Sequence, residues 1–165
     1  MKTSAKQIAL GGIMAALAVT VMSLGGMIPV ATYVCPMVCA LLLAFVLRQC
    51  GKRIAWAWYG AVSILSLLMG PDKEAGAVFL FLGYYPIVKP FFDKSRLKWL
   101  LKALLFNGSV LVMYWLLIHL FGMGQITREF QELGTIMLAV MLLMGNVIFF
   151  LLDKLLDIYE KVSRR

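Results

Sequence analysis

Charge is scarce in this 165-residue chain: 15% of its residues are Asp, Glu, Lys or Arg, against roughly 25% in a soluble domain. Acid is scarcer still, with eight carboxylates and a single histidine beside sixteen Lys and Arg. There are three cysteines and no C-x-x-C pair, which argues against a zinc site or a disulfide framework. None of H-E-x-x-H, G-x-S-x-G or G-x-x-x-x-G-K-S/T occurs, so the familiar metalloprotease, hydrolase and Walker-type ATPase sites are missing. One histidine and no acid deep in an apolar run leave no proton relay or metal cluster. We read the chain as no enzyme, with no metal and no cofactor. Internal repeats are absent too, which argues against an inverted-repeat transporter within this one chain.

What the chain has is apolar sequence, 62% of it. At about 20 residues per bilayer crossing, six crossings consume about 120 residues and leave about 45 for loops. That excludes a soluble enzyme and any sizeable domain outside the bilayer. The expectation is an all-α integral membrane protein, one domain over residues 1–165, built as a single bundle of six transmembrane helices. The apolar stretches are 8–28, 35–47, 54–69, 75–88, 99–121 and 134–152. The first is longer than a signal-peptide core of about 7–15 residues and is read as an uncleaved helix. The second is short and opens on Pro36, so five helices plus a re-entrant segment over 29–36 is the competing architecture.

Basic residues fix the orientation. With the N-terminus inside, inner segments hold Lys2, Lys6, Arg48, Lys52, Arg53, Lys89, Lys94, Arg96, Lys98, Lys102, Lys154, Lys161, Arg164 and Arg165. Outer segments hold only Lys73 and Arg128. This bias places both termini in the cytoplasm. The net charge of +8 is then topology, and no nucleic acid is implied. The basic stretch 89–102 and the amphipathic end 153–159 suit the lipid bilayer's anionic surface or a cytoplasmic partner.

Several residues have polar or packing chemistry that apolar helices do not need. Ala5, Ala9, Gly12 and Ala16 form one small-residue stripe, for packing inside the bundle or for docking another membrane helix. Asp72, Lys73 and Glu74 stand between the third and fourth helices. Asp72 suits a helix cap and Glu74 a helix N-terminus, yet capping does not need Lys73, so a solute site is the other reading. The outer connection 122–133, carrying Arg128, is long enough to be a lid or a solvated loop. Trp115 and His119 lie one turn apart and, with Tyr33, could stack on and hydrogen-bond a ring-shaped ligand. Asn107 and Asn146 fall at similar depth, which favours a bond between the last two helices over a ligand contact. Tyr84, Tyr85 and Pro86 read as an aromatic interface anchor ending the fourth helix.

The opening Lys6-Gln7-Ile8-Ala9-Leu10-Gly11-Gly12-Ile13-Met14-Ala15-Ala16-Leu17 resembles the first helix of the S components, the substrate-capturing subunits of energy-coupling factor (ECF) transporters. Size, six spans and cytoplasmic termini fit the same family, as does the run Asp72-Lys73-Glu74-Ala75 to Gly83-Tyr84-Tyr85-Pro86. The resemblance implies a multi-pass protein of the bacterial cytoplasmic membrane that binds a vitamin or similar micronutrient from outside. It implies partners too: a membrane coupling (T) subunit, met through Ala5, Ala9, Gly12 and Ala16, and two cytoplasmic ATPases that power transport. The implied substrate site gathers Tyr33, Asp72, Lys73, Glu74, Trp115, His119 and Arg128. No vitamin-specific motif is present. The alternative function is a non-transporting membrane assembly or regulatory subunit whose basic inner face recruits a partner.

Overall fold

The computed structural model describes residues 5–24, 31–93, 98–119 and 124–163. Within the last two helices, the side chains of 98–99, 113–114, 116–119, 124–138, 140–141 and 163 lie outside the described residues. Seven helices follow one another: α1 (Ala5–Leu24), α2 (Ala31–Cys50), α3 (Lys52–Met69), α4 (Lys73–Leu82), α5 (Tyr85–Asp93), α6 (Lys98–His119) and α7 (Gly124–Ser163). No strand occurs among the described residues. The chain divides into two compact units, Met1–Phe91 and Phe92–Arg165. Among the described residues, α1, α2 and the α4–α5 run Lys73–Asp93 are long and apolar enough to cross a membrane, and α6 holds the shorter apolar stretch Leu100–Val112.

In the first unit, α1 packs on α2 and α3, and α4 packs on α2 and α3. Helices α1 and α2 run antiparallel, tied by one thiol at the end of α2 and another near its middle. Cys50 donates to the Gln7 carbonyl at 3.4 Å and Cys39 to that of Ala18 at 3.5 Å. All three cysteines are free and buried, so they pack as small apolar groups. Helix α2 runs unbroken through Pro36, so residues 31–36 of the stretch considered as re-entrant belong to one regular helix. The buried proline removes one backbone bond from an otherwise complete helix, and the span is longer than its apolar core of 35–47. A single residue, Gly51, separates α2 from α3, with φ at +86° and ψ at 170°. Only glycine adopts that conformation without strain.

The fourth apolar stretch is two helices, broken at Gly83 and Tyr84. Pro86 explains the break, since the Leu82 carbonyl would need the N–H that proline lacks. The Leu80 carbonyl, which an unbroken helix would pair with Tyr84, accepts instead from the Tyr59 hydroxyl of α3. Tyr85 is fully buried, so the reading of Tyr84, Tyr85 and Pro86 as an interface anchor is corrected. Tyr85 and Pro86 open α5 as buried residues, and Tyr84 stands half-buried in the turn before them.

The second unit is an antiparallel pair, α6 against α7, with regular rungs. Lys102 meets Asp153 at 3.1 Å, Phe106 stacks on Phe149 with centroids 3.4 Å apart, and Val110 lies over Gly145. The expected amide pair is present: Asn146 donates to Asn107 at 2.9 Å. Helix α7 has 40 residues, about 60 Å at 1.5 Å per residue, twice a bilayer's apolar thickness. It absorbs the outer connection expected to be a loop or lid, since residues from Gly124 onward are helical. Residues 125–133 contain neither glycine nor proline and are rich in helix formers.

Lys102 also reaches Asp93 at 2.8 Å, so one ammonium, 7% exposed, joins carboxylates from α5 and α7. Lys102→Met strands both acids. It should lower stability by about 2 kcal/mol, less than the ~3–5 kcal/mol of a wholly buried pair, because Asp93 is 42% exposed. Equilibrium unfolding in mixed micelles measures this, and adding Asp93→Asn and Asp153→Asn should restore most of the loss.

Candidate functional site

Four of the expected site residues, Tyr33, Asp72, Lys73 and Glu74, come together where the first turns of α2 and α4 meet the last turn of α3. The sequence Gly70-Pro71-Asp72 stops α3 and starts α4. Asp72 has extended backbone angles, φ −102° and ψ 102°, and its Oδ1 accepts the N–H of Glu74 at 2.9 Å and of Ala75 at 3.1 Å. Its Oδ2 accepts the Thr32 hydroxyl at 2.6 Å. Glu74 accepts the Tyr33 hydroxyl at 3.0 Å and sits in the first turn of α4, where the helix dipole favours a negative charge. Two hydroxyl–carboxylate bonds therefore fasten α2 to α4.

Lys73 turns the other way. Its ammonium donates to the carbonyls of Leu67 at 2.7 Å, Leu68 at 3.2 Å and Gly70 at 3.1 Å. These are the oxygens a helix C-terminus leaves unpaired, and a cation there also meets the negative end of the dipole. Lys73 is thus the cap of α3, and the argument that capping has no use for it is corrected. The three adjacent charges each serve a different neighbour: Asp72 the start of α4, Lys73 the end of α3, and Glu74 the side chain of Tyr33.

Trp115 belongs to the second unit and is 60% exposed. His119 is the last residue of α6 and Arg128 lies in α7; their side chains lie outside the described residues. In the first unit the small-residue stripe is uncovered, with Ala5, Ala9, Gly12 and Ala16 all exposed. A side chain added at Gly12 meets nothing within 4 Å, whereas one at Gly11 would reach Ile54 at 3.5 Å. Packing of α1 inside its own bundle therefore uses Gly11, Ala18 and Met22, a different face from the stripe.

Sequence reading missed Thr32, whose pairing with Asp72 crosses 40 residues. It also missed Tyr59, Ser63 and Ser66 on α3. Their spacing of four and three was the available signal, one face of an apolar helix carrying three hydroxyls. No family model, curated protein or solved structure matches this chain.

The arrangement is suited to holding helix ends in register. Asp72→Ala removes a cap and the Thr32 bond. It should cost about 1–2 kcal/mol of stability, whereas Asp72→Asn, which keeps an acceptor at the cap, should cost much less. Thermal unfolding of the two variants beside the native chain checks the difference.

Proposed function

We propose that the chain is the substrate-capturing S component of an ECF-type importer, which binds a micronutrient from outside and docks on a membrane coupling subunit. In this reading the six helical rods cross the bilayer with both termini in the bacterial cytoplasm, counting α4–α5 as one. The Asp72 corner then faces outward, and two ATPases on the inner side supply the work. The observation that carries the reading is the bare stripe on α1. A helix in lipid gains nothing from the hydrophobic effect by associating, so close backbone approach is what binds it to another. Alanine and glycine in four-three-four steps, left exposed by the packing of the first unit, provide that approach. The exposed Ile8, Ile13 and Leu17 flank it and give a partner apolar side chains to pack between.

The solute end is supported by the half-buried corner of Tyr33, Asp72 and Glu74. In this reading the energy comes from partners, in keeping with a sequence that has no Walker A pattern. A cytoplasmic-face assembly subunit is the reading that remains if no coupling subunit binds.

Because Ala16 is exposed, Ala16→Trp leaves the fold intact and blocks only what approaches the stripe. Co-purification with a coexpressed coupling subunit and its ATPases should succeed for the native chain. With Ala16→Trp, recovery of the complex should fall at least about tenfold. A native chain that recovers no coupling subunit refutes the proposal.

A further inference from the structure

The one-residue turn between α2 and α3 gathers positive charge. Gly51 donates to the Leu47 carbonyl and accepts from the Ala55 N–H, each at 3.1 Å. Arg48 in the last turn of α2 is thereby set beside Lys52 and Arg53 in the first turn of α3. The start of α1 is fastened to the same end. The Gln7 amide donates to the Gln49 carbonyl at 3.2 Å, and the Cys50 thiol donates to the Gln7 carbonyl at 3.4 Å. Lys6, next in the chain to Gln7, is brought there too. All four basic side chains are exposed.

Nothing in the first unit balances them. Its two carboxylates are Asp72 and Glu74, and both are held at the opposite end of α2 by Thr32 and Tyr33. From Thr32 to Arg48 the helix advances about 24 Å at 1.5 Å per residue, too far for an ion pair. The turn is also open, since a side chain at Gly51 would meet nothing within 4 Å.

The surface beyond the charges says what kind of anion belongs there. Helix α1 exposes Ile8, 62% accessible, and α3 exposes Trp56, 42% accessible. Trp56 stands one turn from Arg53, and an indole favours the level of lipid headgroups. A cationic rim above an apolar surface matches an amphiphile, with phosphate at the rim and acyl chains below it. An acidic protein segment would match the rim alone.

We propose that Lys6, Arg48, Lys52 and Arg53 form a site for the phosphate headgroup of an anionic phospholipid in the inner leaflet. Guanidinium groups take phosphate oxygens in pairs, and the lysines add point charges. The site rests on the same cytoplasmic-side reading of these residues as the importer proposal. It needs no coupling subunit, so it holds or fails separately from the docking test.

The experiment is native mass spectrometry of the full chain purified in detergent, titrated with phosphatidylglycerol or phosphatidylcholine. The native chain should hold phosphatidylglycerol at least about tenfold more tightly than phosphatidylcholine, and millimolar inorganic phosphate should not displace it. Arg48→Gln with Arg53→Gln should weaken phosphatidylglycerol binding about tenfold or more. Lys6→Gln with Lys52→Gln should weaken it as well. Lys154→Gln with Lys161→Gln, the same charge change at exposed positions of α7, should leave it unaltered. Equal retention of the two lipids, equal loss in the α7 variant, or unaltered binding in both of the other double variants overturns the site. Displacement by inorganic phosphate overturns the lipid in favour of a free anion.

Discussion

The structure depends on one constraint, that a polar group among apolar helices must find its partner inside the chain. A polar group buried without a partner costs on the order of a kcal/mol or more. The solutions are local. Asp72 takes two backbone N–H groups and a threonine, Lys73 takes three carbonyls, and Lys102 takes two carboxylates. At the α4–α5 break, just before Pro86, Tyr59 of the preceding helix α3 takes the freed Leu80 carbonyl. These pairings also fix helix register, because each joins particular residues on two elements.

Against that pattern the α1 stripe stands out. Ala5, Ala9, Gly12 and Ala16 are exposed, and a side chain added at Gly12 meets nothing within 4 Å. Small residues at these steps permit the close backbone approach of another helix.

Much of the fold was legible because bilayer thickness and hydrophobic run length are both simple quantities. Five of the six apolar stretches match a single helix, with ends displaced by a few residues for the first four helices' outer limits and by more for α7. The Asn107–Asn146 bond was legible because Asn107 follows Lys102 by five residues and Asn146 precedes Asp153 by seven, which gives similar depths on antiparallel helices. The α4–α5 break was not. Proline before residue 90 reads equally well as a stop or as the first turn of a new helix, and only the buried Tyr85 decides. The lid over 122–133 failed because polar composition was taken for a loop, although Arg, Glu and Gln favour helix where glycine and proline are absent. At the site, Asp72 could be read as a cap from its place before an apolar run. Lys73 could not, since its partners are backbone oxygens of the preceding helix and leave no trace in side-chain pattern.

The claim on which the account turns is that α1 docks on a separate membrane subunit. The most direct test places a photo-cross-linking amino acid at Gly12, where a side chain has open space, and illuminates intact cells. The account predicts one dominant cross-linked protein, a membrane coupling subunit, reached from residue 12 and not from the buried Ala18. Cross-links to lipid alone, or to a second copy of this chain, would contradict it.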